Sequence, residues 1–219
     1  MRPLLLLRPE PGLSESAERA RKLGLDVRLC PLFRVEPLAW EAPDHGRYDA
    51  LLLTSANAVR HGGSEMEKLT SIPVHAVGAA TADAARARGF QVETVGDGNI
   101  ADLLDRLPAN AKLLHLAGEE HRAPEDRRVE RRTLYRAAEI AAPPLPDLTG
   151  LVVAVHSPRA GRRLAELAAD CHRTAIAAIS GAAAVAVGQG WERVEAAERP
   201  DDASLLALAA MLCHTSPPK

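Results

Sequence analysis

The sequence predicts an α/β protein built on parallel sheets, and three observations carry that reading. Short apolar runs alternate with helical patterns closed by glycine. The alternation occurs twice in the same order. Of the 219 residues, 47% are hydrophobic and 26% charged, enough apolar material for buried strands and too much for a disordered or low-complexity chain.

In chain order, residues 4–7 read as a strand and 14–23 as a helix stopped by Gly24 in the C′ position. A second strand is expected at 27–29, a third at 50–53 and a fourth at 74–77. A helix from about 80 to 88 ends at Gly89.

The second half repeats this order. Leu51-Leu-Leu-Thr-Ser-Ala-Asn-Ala aligns with Val153-Ala-Val-His-Ser-Pro-Arg-Ala, a shift of 102. Ala76-Val-Gly-Ala-Ala-Thr falls on Ala178-Ile-Ser-Gly-Ala-Ala, Leu103-Leu104 on Leu205-Leu206 and Leu32-Phe-Arg-Val on Leu134-Tyr-Arg-Ala, all at the same shift. Four blocks sharing one offset imply an internal duplication. The opening strand 4–7 matches 113–116 at a shift of 109, so the second copy is seven residues shorter between its first two strands. A parallel crossover normally needs a dozen or more residues, so an irregular crossover without a helix is expected between Arg122 and Arg128, with one sheet face less well covered. Two proline-marked stretches, 31–43 and 137–146, follow the second strand of each copy and suggest a paired hinge between two lobes.

Composition narrows the partners. The formal net charge is −2 and six residues are aromatic, so nucleic acid is not expected. The apolar run 4–7 is far too short for a membrane span or a signal peptide, which predicts a soluble, cytoplasmic protein with no membrane contact. Cys30, Cys171 and Cys213 form neither a disulfide framework nor a zinc motif, and the eight histidines show no metal-ligand spacing, so no metal is expected. Cations are lopsided, 23 arginines to four lysines; base composition of the genome explains most of that, and arginine is also the better carboxylate fork.

In open α/β sheets, ligands bind beyond the carboxyl ends of the strands, where helix N-termini present free amides. Six such turns are expected: Arg8-Pro9, Thr54 to Asn57, Gly78 to Thr81, Gly118 to Arg122, His156 to Arg159 and Ser180-Gly181. Several carry a Ser or Thr that suits an N-cap, and Pro158 sits where a helix tolerates proline. Taken singly each is a cap; across two lobes they describe a cleft of amides and hydroxyls for an anionic ligand. GxGxxG and GxxxxGK[ST] are absent. His156-Ser157 lacks a GxSxG elbow and an evident partner acid, so His156 reads as a strand-end residue and not a base. The arginines at 127, 128, 131, 132 and 136 read as a solvated, salt-laced strand edge, with Arg122 set apart by its place in a turn.

These residues resemble the uroporphyrinogen-III synthase family. The matching pieces are Leu7-Arg8-Pro9, Leu53-Thr54-Ser55-Ala56-Asn57-Ala58-Val59, Ala76-Val77-Gly78-Ala79-Ala80-Thr81-Ala82 and Leu116-Ala117-Gly118-Glu119 with Arg122. Leu134-Tyr135-Arg136-Ala137 and His156-Ser157-Pro158-Arg159-Ala160-Gly161 complete the set, which spans nearly the whole chain in family order.

The resemblance implies two similar three-layer α/β/α lobes that exchange sequence. Residues 1–34 with 147–219 make one lobe, 44–134 the other, and 35–43 with 135–146 a two-stranded hinge ladder. It implies a cofactor-free, cyclising hydro-lyase acting on hydroxymethylbilane, a linear tetrapyrrole with eight carboxylates, in tetrapyrrole biosynthesis. Water is lost and the last pyrrole is inverted through a spiro intermediate, giving uroporphyrinogen III. The implied partners are this substrate and a transient contact with hydroxymethylbilane synthase; the implied state is a monomer. Substrate-binding residues carried over are Arg8, Ser55, Asn57, Gly78, Thr81, Arg122, Ser157, Arg159 and Ser180. Tyr135 is the implied proton donor, since a phenol with an ordinary pKa of about 10 stays protonated and can assist a leaving hydroxyl. Where the family's second copy often carries threonines, this chain has Ser180-Gly181-Ala182-Ala183, which with the short crossover leaves a catalytically silent two-lobed binding module for a tetrapyrrole or other anionic metabolite as the alternative.

Overall fold

The computed structural model describes residues 1–96, 100–120 and 125–215. In chain order the elements begin β1 (Leu4–Leu6), α1 (Gly12–Lys22), β2 (Val27–Leu29) and β3 (Phe33–Pro37). Next come β4 (Ala50–Leu53), α2 (Ala56–His61), β5 (Val74–Val77), α3 (Ala79–Ala87) and β6 (Val92–Gly96). Then follow α4 (Ile100–Asp105), β7 (Leu113–Gly118), β8 (Val129–Glu139), β9 (Val152–Val155) and α5 (Pro158–Leu167). The last four are β10 (Ala175–Ala178), α6 (Gly181–Ala186), β11 (Arg193–Ala196) and α7 (Asp202–His214).

The chain divides into two compact units, residues 1–34 with 139–219 and residues 35–138. In the first unit five strands run in the order β2-β1-β9-β10-β11, all parallel. Strands β1, β9 and β10 are buried along their whole length, which is why they read as unbroken apolar runs. Leu4, Leu6, Val152 and Ala154 form one core with Leu13 and Ala17 of α1 and Leu205 and Leu206 of α7. Alternate residues such as Leu5, Val153 and Ile176 turn to the other face, where α5 and α6 pack.

The second unit carries the order β8-β7-β4-β5-β6, also parallel, with β3 beside β8. Leu51, Leu53, Leu114 and Leu116 pack against Val59 of α2 and Ala82 and Ala85 of α3. The opposite face holds a smaller core of Ala50, Leu52 and Leu113 against Leu103 and Leu104 of the six-residue α4. An open hollow of about 450 Å³ lined by Asp49, His75, Glu93, Leu107 and Pro108 lies on that face.

The two sheets share their connectivity and register. Leu51 is level with Val74 in one and Val153 with Ile176 in the other, each pair 23 positions apart. Leu4 is level with Val27, again 23 positions on, whereas Leu113 is level with Val129, only 16 on. The seven-residue difference therefore lies between β7 and β8. Residues 125–128 of that connection contain no helix, and 121–124, with Arg122, lie outside the described residues.

Both glycine stops form as Schellman ends. Leu25 donates to the Ala20 carbonyl at 3.2 Å and Gly24 to Arg21 at 2.9 Å, and Phe90 and Gly89 repeat the pattern on Ala85 and Arg86. Helix α1 starts two residues before the expected Ser14. Leu13 donates to the Pro9 carbonyl and Glu15 to Pro11, so a turn is already closed upstream, while Ser14 binds the Glu10 carboxylate. Within the stretch 31–43, residues 33–37 form β3, which lies beside β8; polar residues interrupt its apolar pattern.

Of the arginines read as a salt-laced strand edge, Arg132 and Arg136 of β8 reach solvent and pair with Glu130 and Glu36, as expected, but Arg128, just before β8, is not solvated. Arg128 has a side chain only 14% exposed and donates to the carbonyls of Leu104, Leu107 and Pro108 while paired to Asp126 at 2.7 Å. It closes the C-terminal end of α4, whose last carbonyls have no partners within the helix.

Candidate functional site

In each unit the expected site residues gather at the carboxyl ends of the strands. In the second unit Ser55 follows β4 and caps α2, its Oγ accepting from the Asn57 amide at 3.2 Å. Asn57 Oδ1 is buried and has no hydrogen bond among the described residues. Gly78 follows β5 and is the N-cap of α3, with φ of 84°. Thr81, in the first turn of α3, is turned inward and 5% exposed.

Tyr135 reaches this end of the sheet through an irregularity of register. Ala117 of β7 is level with Thr133, but Gly118 is level with Tyr135, so the shift skips Leu134. Leu134 drops into the core and Tyr135 comes to stand over Gly118. The His61 ring at the end of α2 lies 6.1 Å from the Tyr135 ring, tilted by 39°. Burial, with the charge of Arg60, holds the His61 imidazole below its ordinary pKa. Arg131 donates to the carbonyls of Gly118 and Glu119, tying β8 to the end of β7.

In the first unit Ser157 follows β9 and caps α5, its Oγ accepting from Ala160 at 3.1 Å, and Ser180 follows β10 and caps α6, accepting from Ala183 at 3.3 Å. In each cap the hydroxyl oxygen is an acceptor, which leaves the O–H hydrogen available to an anionic ligand. Arg159 lies over the Phe33 ring at 4.5 Å and 3.6 Å from Glu139. Arg8 follows β1 and points to a polar cluster at the start of α7.

That cluster was not legible in the sequence. His156 has a partner acid after all: its Nε2 is 2.9 Å from Asp202 Oδ1, 46 residues on. No triad results, because the other ring nitrogen, Nδ1, is buried with no hydrogen-bond partner among the described residues and so does not meet the Ser157 hydroxyl. Ser16 Oγ donates to the same Asp202 oxygen at 2.6 Å, and Arg19 Nε is 3.0 Å from the other. Burial raises the Asp202 carboxyl, but hydrogen bonds from His156 and Ser16 and the charges of His156 and Arg19 outweigh it and hold the group down at about 2. Burial pushes the His156 imidazole below its ordinary value, against the opposing Asp202 hydrogen bond. The cluster therefore joins the Asp202 carboxylate to the His156 imidazole, the Ser16 hydroxyl and the Arg8 and Arg19 guanidiniums, with Arg19 also 3.6 Å from Glu15.

With the geometry established, comparisons identify the chain's relatives. A family-wide sequence model described as uroporphyrinogen-III synthase HemD matches residues 14–207. The chain belongs to the uroporphyrinogen-III synthase family. No curated protein sequence matches significantly. Among solved structures, the uroporphyrinogen-III synthetase of Helicobacter pylori 26695 superposes with a TM-score of 0.69 at 17% identity, covering 97% of this chain and 100% of that one. The uroporphyrinogen III synthase of Thermus thermophilus matches at 19% identity over 95% and 97% of the two chains, with a TM-score of 0.41. At such identities the Helicobacter likeness speaks for the fold, while membership rests on the family match.

Uroporphyrinogen-III synthases are cyclising lyases of tetrapyrrole biosynthesis, and their substrate is a linear tetrapyrrole. Among the described residues no helix is long and apolar enough to cross a membrane.

Proposed function

We propose that this chain closes hydroxymethylbilane to uroporphyrinogen III, with loss of water and inversion of the last pyrrole ring. The observation that carries this reading is the family match, which runs through both units without interruption.

The chemistry asks little of a strong acid. Departure of the hydroxyl from an electron-rich pyrrole leaves an azafulvene cation, and attack by the substituted carbon of the last ring gives a spiro intermediate that fragments and recloses. Free substrate can also cyclise to the uninverted isomer, so the protein must chiefly impose a conformation and exclude the competing closure. In this reading Tyr135 hydrogen-bonds the leaving hydroxyl; its support is its seat beside the last residue of β7 with His61 alongside. The substrate carboxylates go to Arg8, to the hydroxyls of Ser55, Ser157 and Ser180 and to the amides at the starts of α3 and α5; Arg122 and Arg159 are assigned to the same role. The paired hinge at 35–43 and 135–146 belongs to the same proposal, supported by a chain that passes between the units only twice, after Arg34 and after Ala138.

Isomer analysis tests the reading. Purified protein coupled to hydroxymethylbilane synthase yields predominantly the type III product, and only type I product would overturn the assignment.

A further inference from the structure

The Asp202 cluster in the first unit is built from four elements. Arg8 follows β1, His156 follows β9, Ser16 lies in α1 and Asp202 opens α7. Strands β1 and β9 are neighbours at the centre of the sheet, and the chain proceeds from β1 to β2 on one side and from β9 to β10 on the other. That is the switch point where open α/β sheets place their ligands. The helix needs Asp202 for nothing local, because Asp201 is the N-cap and accepts the Ser204 amide at 2.7 Å.

Asp202 instead serves Arg8. Arg8 Nη1 donates to Asp202 Oδ1 at 3.2 Å and to Ser16 Oγ at 3.0 Å. Ser16 is fully buried, and the His156 side chain is 8% exposed, so the acceptor oxygen is held from within the fold. The Arg8 side chain is 29% exposed, and among the described residues Nε and Nη2 have no acceptor. With Nη1 engaged, the free edge of the guanidinium is the Nε/Nη2 pair, a two-donor fork that matches a carboxylate. The glycine at position 12 makes room for it: a Cβ there would stand 2.4–2.5 Å from Arg8 Nη2, Cζ and Nε. Arg19 is shared between Asp202 and Glu15, 3.6 Å away, so the cluster's charges balance and what it offers an incoming anion is the pair of free N–H donors on Arg8. At the corresponding places in the other sheet stand Ala117, Thr54 and Ile100, so the device belongs to the first unit alone.

We propose that Asp202, supported by Ser16 and His156, is a positioning residue that turns the free edge of Arg8 outward as a clamp for one substrate carboxylate. The inference rests on the uroporphyrinogen-III synthase reading for the identity of the polycarboxylate.

A double-mutant cycle tests it. Asp202→Asn raises KM for hydroxymethylbilane by about 5- to 10-fold with kcat within about 2-fold, and in the Arg8→Ala background it raises KM no further. His156→Gln, which keeps a donor at the Asp202 oxygen, retains the wild-type KM, while His156→Leu shifts it as Asp202→Asn does. Additive KM effects, a lower KM in Asp202→Asn, or loss of thermal stability with KM unchanged would each overturn the proposal. If the wild-type protein yields only type I product, the functional reading fails by itself, and the same cycle read as uroporphyrin III binding by calorimetry still decides the clamp.

Discussion

Tyr135 stands level with Gly118 on the neighbouring strand, and its ring fills the space a side chain there would need: a Cβ at Gly118 would lie 2.6 Å from Cε2, 2.7 Å from Cζ and 3.0 Å from the phenol oxygen. The pairing joins two residues 17 apart in sequence through a shift of register that no local pattern announces.

If the phenol assists the leaving hydroxyl, Tyr135→Phe removes the hydrogen bond and keeps the packing. Turnover is expected to fall about 100-fold, at the low end of general acid contributions, with the thermal midpoint little changed. Steady-state kinetics with product isomer analysis checks this, and unchanged turnover takes Tyr135 out of the mechanism.

Gly118→Ala forces the ring aside while leaving the phenol chemically intact. Its turnover should drop in the same direction, and in the Tyr135→Phe background the substitution should add little. Equal losses in both backgrounds would mean that Gly118 matters for something other than Tyr135.

Acid sensitivity follows from the buried histidines. His156 is held below its ordinary value by burial, so its neutral form belongs to the fold and the unfolded chain takes up the proton first as pH falls below about 6.5. Its contribution is intact above that pH and is lost on the way down to the folded pKa, at no more than about 1.4 kcal/mol per pH unit. His61 and His75, also lowered by burial, act in the same window. Denaturant titrations from pH 7.5 to 5 should show stability falling, and His156→Gln should flatten part of that slope. Asp202, held at about 2, loses its contribution only as pH drops from about 4 towards that value.

Arg2 and Glu192 form a second long-range pair, 2.8 Å apart with both side chains 10% exposed, and Arg2 also donates to the carbonyls of Gly150 and Leu151. Arg2→Met strands a buried carboxylate and should cost about 3–5 kcal/mol. Chemical denaturation reads this directly; a loss within experimental error would show that water reaches the carboxylate.

What could be read from the residues in order was whatever repeats along the chain. Apolar runs at 4–7, 50–53 and 74–77 declare buried parallel strands because such strands have no polar face, and Gly24 and Gly89 declare helix ends because the left-handed position favours glycine. The 102-residue offset and the seven-residue shortening reappear as the register of the two sheets, since register is fixed by side chains alternating across a pleat. The serines at 55, 157 and 180 were readable as caps for the same local reason.

Pairs distant in sequence were not readable, because a side chain's partner depends on which strands become neighbours. His156 looked like a bare strand end until β9 was set beside β1 and α7 laid across them, bringing Asp202, Ser16 and Arg8 to one oxygen. Arg128 looked like a surface charge until the carbonyls at the end of α4 came within reach of it. The order of residues announced the buried strands, the glycine helix stops and the serine caps, which rest on side chains and contacts a few positions apart. Only the packed fold decided which polar groups, 8 to 194 residues apart, would share a buried site, since burial is what obliges them to find one another.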